Sequence, residues 1–220
     1  MFITFEGLDF SGKTTQAERA VEKLRRLVIV EGMPHLVHFL REPGGTRISE
    51  RIREILLDKT NLEMAELTEL LLFSASRAQV VQQVIRPALQ RGDTVVCDRY
   101  CDSTTAYQGY GRQVDLGMIQ AVNAAATGGT MPDLTIIVDI PVEEISRRKD
   151  LAGIPFDRME SAGRAFYERV RLGYCALAAA EPGRVVTVDG TGSIEAIEQE
   201  VWKHIERIGD THQRKRKLTP

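Results

Sequence analysis

The chain has 220 residues, of which 43% are hydrophobic and 27% charged, and its formal net charge at pH 7 is -2. These values suit one globular domain with a full core, and the near-neutral charge gives no general attraction to nucleic acid or anionic membranes, so any anion site must be built locally. No apolar run approaches the roughly 18 residues of a membrane span, and no signal sequence precedes the first apolar run, which predicts a cytoplasmic protein.

Five short apolar runs rich in Val, Ile and Phe have the length of β-strands. They cover residues 2–7, 35–40, 94–98, 134–140 and 185–189. Segments with helical periodicity lie between them, among them 16–32 and 67–90, and Pro87 should kink or end the second helix. This alternation predicts an α/β fold: a three-layer α/β/α sandwich around a five-stranded parallel sheet, with ligand sites at the carboxyl ends of the strands.

A glycine-rich turn follows the first strand. Residues 7–14, GLDFSGKT, match G-x-x-x-x-G-K-[ST] between a strand and a helical pattern, as this motif requires. Backbone N–H groups and the helix N-terminus would surround a polyphosphate, Lys13 would reach its β and γ phosphates, and Thr14 could bind Mg²⁺. The motif predicts a fold of the P-loop NTP hydrolase or kinase type. The expected nucleotide contacts are Gly7, Leu8, Asp9, Phe10, Ser11, Gly12, Lys13, Thr14 and Thr15.

Four further motifs follow the P-loop: REPGGT (41–46), FSASRAQ (73–79), DRYCDSTTAYQG (98–109) and FDRMESAGRAFYERVRLGY (156–174). Together with the P-loop they closely resemble the bacterial thymidylate kinases, over nearly the whole chain to about residue 190. REPGGT and DRY-x-D-S-x-x-A-Y-Q-G are the most specific, because they belong to the acceptor half that distinguishes one nucleoside monophosphate kinase from another. The resemblance implies a homodimeric enzyme that transfers a phosphoryl group from ATP to dTMP with Mg²⁺, giving ADP and dTDP for dTTP synthesis.

Two other functions remain open from the sequence. The same scaffold could phosphorylate another nucleoside monophosphate, such as dUMP or CMP, or a nucleoside. The basic run at 214–217 could indicate a nucleotide-dependent switch or a nucleic-acid ATPase, but the run is short and isolated and no guanine-reading NKxD sequence occurs. We therefore expect ATP and dTMP as partners, and neither nucleic acid nor a membrane.

Phe73 and Arg77 are candidates for contacting the base. They are four residues apart on a predicted helix and so project from one face. An aromatic ring stacked on a base contributes about 1–3 kcal/mol, and the resemblance implies that Phe73 stacks on thymine while Arg77 contacts the base edge. From its position alone, Phe73 could equally be a core residue beside the leucines at 70–72.

Asp98 and Arg99 end the third strand. Asp98 can serve as a magnesium ligand, directly or through water, or it can be a helix cap. Arg99 would lie where donor and acceptor phosphates meet, and a guanidinium can bind phosphate in a bidentate manner. The alternative for Arg99 is a surface ion pair.

Two polar pairs lie on a helix predicted to begin near Asp102. Ser103 and Tyr107 are four residues apart, as are Thr104 and Gln108, so both pairs can face the nucleoside. The resemblance implies that Tyr107 crowds the sugar 2′ position and disfavours ribose, whereas its position alone also fits amphipathic packing.

Arg53 and Asp9 take their expected roles from the resemblance. Arg53 would bind the acceptor phosphate, although by itself it is an ordinary solvated helix residue. Asp9 would repel a triphosphate unless it had another partner, and the family carries Asp or Glu there, facing the acceptor sugar's 3′-hydroxyl and metal-bound water. We therefore expect Asp9 to position the acceptor, and no general base is needed because the acceptor phosphate is already an anion.

The cation that stabilises the transferring phosphoryl group is expected from a mobile LID. The family supplies it from the P-loop or the LID, and P-loop positions 8–11 contain no basic residue. The candidates are Arg147, Arg148 and Lys149, and we choose Arg148. Arg147 and Arg158 are the alternative catalytic cations. A cluster of basic residues at the end of a helix can also be a solvated surface that interacts favourably with the helix dipole. Residues 150–156 lack the arginine that common bacterial members carry there.

The expected organisation is one thymidylate kinase-like domain over residues 1–209, with a short LID around 147–158, and a basic tail at 210–220 that is too polar to pack and therefore mobile. The loop at 189–192 is a candidate adenine contact or only a turn. The expected catalytic residues are Lys13, Arg99, Asp9 and Arg148; the substrate contacts are Glu42, Arg53, Phe73, Arg77, Arg99, Ser103, Thr104, Tyr107 and Gln108; the magnesium ligands are Thr14 and Asp98.

Overall fold

A parallel β-sheet forms the centre of the protein. The computed structural model describes residues 1–30, 35–153 and 163–218. The strands of the sheet are β1 (Phe2–Glu6), β2 (Val37–Arg41), β3 (Thr94–Asp98), β4 (Leu134–Asp139) and β5 (Val185–Asp189). All neighbours pair in parallel, in the order β2-β3-β1-β4-β5. The predicted five-stranded parallel sheet is confirmed, and β1 carries the glycine-rich turn to the middle of its carboxyl edge.

Helices connect the strands. They are α1 (Lys13–Val30), α2 (Arg47–Leu57), α3 (Glu66–Val80), α4 (Arg86–Gln90), α5 (Cys101–Thr104), α6 (Leu116–Thr127), α7 (Glu143–Ala152), α8 (Arg164–Ala180) and α9 (Ile194–Leu218), with π-helical stretches at Val81–Ile85 and Thr105–Gly111. Among the helices of the described ranges, none is long and apolar enough to cross a bilayer.

Successive strand side chains pack on opposite faces of the sheet. Ile3, Phe5 and Val96 belong to a buried cluster that includes residues of α1 and α9. Phe2 and Val95 belong to another cluster, formed with the end of α3, the π-helical stretch after it and α4. The strands are largely apolar because both faces of the sheet are covered over most of its width, whereas Thr187 and Asp189 on the edge strand β5 are exposed. The predicted three layers follow from this arrangement.

Pro87 does not end its helix. The helical backbone passes from α3 through the π-helical stretch into α4, where Pro87 lies in the first turn. The Arg86 N–H binds the carbonyl of Val81, five residues earlier. A wider turn accommodates proline because its ring crowds the carbonyl four residues earlier and it has no N–H to donate. The helix therefore does not end near Pro87, and the irregularity that the sequence predicts is a π-helical turn just before this proline.

Two expectations concern the last third of the chain. Helix α9 continues to Leu218, so the backbone of residues 210–218 is helical where the sequence predicts an unpacked tail. The mobility of that tail stays a prediction. The expected LID, 147–158, is described only as far as Gly153, and Arg158 lies outside the described residues.

Candidate active site

One cavity of about 540 Å³ lies at the carboxyl edge of the sheet, beside the glycine-rich turn. It is lined by Asp9, Lys13, Thr14, Arg41, Glu42, Pro43, Arg53, Leu57, Phe73, Arg77, Asp98, Arg99, Ser103, Thr104, Tyr107 and Gln108. All nine expected substrate contacts and both expected magnesium ligands are in this set. The ring of Phe73 and the guanidinium of Arg99 therefore share one cavity.

The glycine-rich turn wraps the N-terminus of α1. Gly7 has a φ of 134°, and a Cβ there would meet the carbonyl oxygen of Val138 at 2.4 Å, so only glycine fits. The Lys13 ammonium donates to the carbonyl of Leu8 at 3.2 Å and its side chain is almost fully buried. Burial, and secondly the charge of Arg99, lower the pKa of Lys13. The turn thus presents a helix N-terminus and a buried cation to the cavity, an arrangement suited to phosphate.

Thr14 and Asp98 form a pair on the cavity wall. The Thr14 hydroxyl donates to Asp98 Oδ2 at 2.5 Å, whereas the buried Oδ1 of Asp98 has no hydrogen-bond partner among the residues described. A buried carboxylate oxygen without a donor needs an explanation, and a cation or its water shell satisfies it. The helix-cap alternative finds no support, since α5 has no side-chain cap hydrogen bond. Thr14 and Asp98 fit Mg²⁺.

Thr14 and Asp98 are a small set of possible metal ligands. Within residues 1–30, 35–153 and 163–218, no group of three or more His, Cys, Asp or Glu side chains could hold a metal ion. Mg²⁺ commonly binds through one or two protein oxygens and keeps water and substrate phosphate as its other ligands. A two-residue site is therefore compatible with Mg²⁺ that also binds a nucleotide phosphate.

Arg99 and Asp9 form an ion pair inside the cavity. The distance from Arg99 Nη2 to Asp9 Oδ1 is 2.5 Å, and the two side chains are 17% and 18% exposed, so this is not a surface pair. Asp9 also accepts from the hydroxyls of Tyr107 and Tyr167. Burial alone would raise the pKa of Asp9, but Arg99, Lys13 and the two tyrosines outweigh it and lower the pKa. Asp9 therefore has the partner that its place in a phosphate-binding turn demands.

Three more acceptors hold the other end of the Arg99 guanidinium. Nη1 donates to the carbonyl of Gly7 at 3.1 Å, to the Ser103 hydroxyl at 3.2 Å and to the Tyr174 hydroxyl at 3.4 Å. The Arg99 backbone has a φ of 70°, which a residue with a side chain adopts only when its surroundings impose it. The guanidinium is thus fixed between the glycine-rich turn and α5.

Arg77 is a second buried arginine on the cavity wall. Its Nε donates to Glu42 Oε2 at 2.8 Å, its Nη1 to the Thr104 hydroxyl at 2.8 Å and to Asn123 at 3.3 Å, and its Nη2 to the carbonyl of Tyr100 at 3.0 Å. Burial raises the pKa of Glu42 to about 7, against the opposing effect of Arg77. These four hydrogen bonds hold the guanidinium rigidly in the cavity wall.

The remaining predicted contacts surround the same space. Phe73 is half-buried, packs against the cluster that contains Tyr107, and lines the cavity, so both interpretations of its position apply. Arg53 donates to the carbonyl of Pro43 at 2.9 Å. Gln108 donates to Glu69 at 2.9 Å, which fixes the orientation of its amide.

Of the cations expected in the LID, the three that the structure describes, Arg147, Arg148 and Lys149, are not part of the cavity lining. Arg148 donates from Nη2 to the carbonyl of Gly190 at 2.7 Å and from Nη1 to those of Ser11 and Phe10 at 3.2 and 3.3 Å. Its guanidinium thus joins the glycine-rich turn to the loop after β5. Arg147 is exposed and paired with Glu144. The catalytic role of Arg148 stays a prediction.

Sequence reasoning missed several residues of the site. Arg41, Pro43 and Leu57 line the cavity, and Glu6 and Tyr174 lie behind Arg99. Arg41 and Pro43 belong to REPGGT, so the motif itself could have indicated them. Glu6 could have been noticed as the single acidic residue in an otherwise apolar strand.

Such a cavity can hold the phosphates of a nucleotide end to end with a second phosphate-bearing molecule, and on this fold that capacity defines the class of P-loop phosphotransferases. A family model described as thymidylate kinase matches residues 5–201. The chain belongs to the thymidylate kinase family.

Individual relatives cover nearly the whole chain. The thymidylate kinase of Prosthecochloris aestuarii is 47% identical over 224 residues, with 98% of this chain and 97% of the relative covered. That of Pelotomaculum thermopropionicum is 46% identical over 209 residues, with 95% and 94% covered. The crystal structure of thymidylate kinase from Ehrlichia chaffeensis superposes with a TM-score of 0.74 at 35% identity, covering 93% of this chain and 98% of that one.

Proposed function

We propose that this chain is a dTMP kinase, which transfers the γ-phosphoryl group of ATP to dTMP and so produces ADP and dTDP for dTTP synthesis. One observation carries the proposal: in a chain of this family, all nine residues expected to contact the acceptor line a single cavity beside the P-loop.

The P-loop side of the cavity binds ATP. Its backbone N–H groups and the N-terminus of α1 hold the phosphates, and Lys13 places its charge on the β and γ oxygens. Thr14 and Asp98 would hold Mg²⁺, which when bound neutralises charge on the same oxygens. Asp98 Oδ1 is the atom whose missing hydrogen-bond partner supports this assignment.

The opposite wall binds thymidine. Phe73 offers its ring for stacking. Four of the five N–H groups of the Arg77 guanidinium bind protein acceptors within the described structure, which leaves the fifth to donate to a base carbonyl. Tyr107 is nearly fully buried, and its hydroxyl is fixed between Arg99 and Asp9. A ribose 2′-hydroxyl would have to displace this side chain, which favours the deoxy acceptor.

Arg99 clamps the two phosphates. It lies between Asp9 of the P-loop and Ser103 on the acceptor wall, so its cation reaches both substrates. A loose phosphoryl transition state spreads negative charge over its equatorial oxygens, and an arginine aimed at that charge contributes about 10³ to 10⁵ in rate in related reactions. Asp9 keeps the guanidinium in place through Oδ1, while its Oδ2 accepts from the hydroxyls of Tyr107 and Tyr167 beside the acceptor site. Catalysis is then positioning and electrostatics.

Acceptor profiling tests the proposal. Purified protein with MgATP should give a higher kcat/KM with dTMP than with dUMP, CMP or thymidine, measured as ADP release. Faster phosphorylation of CMP or thymidine would assign the chain to another nucleoside monophosphate kinase or a nucleoside kinase.

We also propose that the enzyme is a cytoplasmic homodimer. The family resemblance supports the dimer, and so do apolar side chains about half exposed on two adjacent helices, Ile48 and Ile55 on α2 and Leu67 and Leu71 on α3. Light scattering of purified protein should give twice the mass of one chain. A monomer at micromolar concentration would contradict the dimer without affecting the assigned reaction.

A further inference from the structure

Glu6 is a buried acidic residue that the proposed reaction does not use. It is the last residue of β1, directly before Gly7, and its side chain is fully buried. The rest of the strand is Phe, Ile and Thr. Burying a carboxylate is costly unless hydrogen bonds compensate it. The residue therefore needs partners, and those partners indicate what it does.

Both carboxylate oxygens of Glu6 are occupied by donors. Oε1 accepts from the backbone N–H groups of Tyr100 and Ser103, at 2.7 and 3.3 Å. Oε2 accepts from the hydroxyls of Ser103 and Tyr174, at 2.5 and 2.9 Å. One carboxylate oxygen thus fixes the turn between β3 and α5, and the other oxygen binds two hydroxyl groups.

The same two hydroxyls accept from Arg99. Its Nη1 lies 3.2 Å from Ser103 Oγ and 3.4 Å from the Tyr174 hydroxyl oxygen. A hydroxyl has one proton and two lone pairs. The two hydroxyl oxygens also lie 3.1 Å from each other, so each could donate to the other. Burial, and secondly the charge of Asp102, raise the pKa of Glu6 to about 7, so the carboxyl is ionised on the alkaline side of neutrality. The ionised carboxylate is the strongest of these acceptors; when both hydroxyl protons go to it, the lone pairs of both hydroxyls are left for the guanidinium.

We propose that Glu6 is a positioning residue, which orients the hydroxyls of Ser103 and Tyr174 so that both accept from Nη1 of Arg99 and hold this guanidinium at the phosphoryl-transfer site. The inference rests on the proposed function, because it concerns the arginine that clamps the two phosphates. Asp9 holds Nη2 from the P-loop side, and Glu6 holds Nη1 from behind through the two hydroxyls. Glu6 itself touches neither substrate, since it is not in the cavity lining.

Replacing Glu6 by glutamine keeps the shape of the side chain but exchanges one accepting carboxylate oxygen for a donating NH₂ group. The amide oxygen can keep the backbone N–H groups of Tyr100 and Ser103, which places the NH₂ group against the two hydroxyls. These must then accept from the amide and turn their protons toward Arg99. Glu6→Gln should lower kcat about 10- to 100-fold, the loss typical of residues that orient a functional ligand. The KM for dTMP should change much less, because base stacking is intact.

A double-mutant cycle separates positioning from a general structural role. In an Arg99→Ala background, Glu6→Gln should cause no further loss of kcat, because the group that it orients is absent. An equal fractional loss in both backgrounds overturns the proposal, as does an unchanged kcat in Glu6→Gln alone. If Glu6→Gln does not fold, Tyr174→Phe takes its place in the cycle, with a smaller loss expected because one hydroxyl remains.

Thr4→Val is the matched control. Thr4 lies two residues earlier on β1, is equally buried, and has its hydroxyl bonded to that of Thr135 rather than to the Arg99 assembly. It should lower the unfolding midpoint and leave kcat unchanged; a kcat loss equal to that of Glu6→Gln would assign both effects to general destabilisation. If wild-type protein failed to phosphorylate dTMP, the proposed function itself would fail, which is a different result from a wild-type enzyme that tolerates Glu6→Gln.

Discussion

Phe73 shows how one side chain can serve the core and the ligand together. Its ring is half-buried against the cluster of Tyr107 and Phe166, and it still lines the cavity. Phe73→Ala removes a stacking surface of about 1–3 kcal/mol, which corresponds to a rise in the KM for dTMP of about five- to 150-fold. The KM for ATP should change little, because the P-loop is untouched. Initial rates with each substrate varied in turn measure both values.

Phe73→Leu is the control for this prediction. Leucine keeps most of the apolar volume but has no ring, so it should preserve the unfolding midpoint better than alanine while still raising the KM for dTMP. Unchanged acceptor kinetics in both variants would assign Phe73 to the core alone.

Arg147 and Arg148 are neighbours on α7 with different surroundings. Arg148 joins Ser11 of the P-loop to Gly190 after β5, and its loss should displace the turn that holds the ATP phosphates. Because small displacements near reacting groups are costly, Arg148→Ala should lower kcat/KM for ATP about 10- to 100-fold. Arg147 is exposed and, in the described part of the chain, paired with Glu144, so Arg147→Ala should have little effect. Equal small losses in both variants would contradict this role of Arg148 and the catalytic role that the sequence predicts for it.

At the residue scale, the sequence predicts the acceptor contacts and misses what supports them. Ser103 and Tyr107 could be predicted because they are close together in one motif and helical spacing gives them one face. The partners of Glu6 could not, because Ser103 and Tyr174 are 97 and 168 residues away. Local patterns carry no information about such pairs, since the fold alone brings them together.

At the scale of elements, the helix predicted over 67–90 is present, but its internal geometry is not visible in the sequence. A π-helical stretch at Val81–Ile85 divides it. A five-residue hydrogen bond adds one residue to the turn and shifts the phase of the side chains after it, but an apolar pattern this short does not distinguish such a turn from a regular one. Pro87 indicated that an irregularity was required, but not where the backbone would absorb it.

Asp93 joins three elements at the opposite edge of the sheet from the site. It accepts from the N–H of Leu36 at 3.1 Å, from His38 at 2.8 Å and from Arg91 at 2.9 Å, which ties the start of β2 and the end of α4 to β3. Burial would raise the pKa of Asp93, but these hydrogen bonds outweigh it and lower the pKa to about 2. Asp93→Asn should reduce the free energy of unfolding by about 1–3 kcal/mol at neutral pH.

The pH dependence of this loss has a definite sign. A carboxyl with a lowered folded-state pKa contributes stability above its ordinary value of 3.8, and this contribution is lost as the pH falls toward 2. The difference between wild type and Asp93→Asn, from urea titrations, should therefore shrink on acidification. Asp58→Asn is the control, because the Asp58 carboxylate binds Thr60 within one exposed turn and does not join separate elements. Thr60 also lowers the pKa of Asp58, so a difference of the same sign but smaller size is expected there. A difference that grows as the pH falls would contradict the assignment.

At the scale of the molecule, the sequence predicts the sheet but not its order. Each of the five apolar runs becomes a parallel strand, since a strand covered on both faces must be apolar along its length. The order β2-β3-β1-β4-β5 depends on which edge each crossover reaches, and no strand sequence specifies its neighbours. The convergence of the site on one edge could still be predicted, because all strands are parallel and their carboxyl ends coincide.

Deletion of the basic C-terminal residues distinguishes a dTMP kinase from a nucleic-acid-dependent ATPase. The described contacts of α9 with the core are made by Ile197, Val201, Trp202 and Ile205, with Ile208 partly buried, so deletion of residues 210–220 spares all of them. The truncated protein should keep kcat and both KM values within about twofold, as for changes remote from a site. Trp202→Ala, which empties a buried position, should instead lower the unfolding midpoint clearly. A collapse of dTMP kinase activity on truncation, with an unchanged midpoint, would show that the run at 214–217 takes part in function.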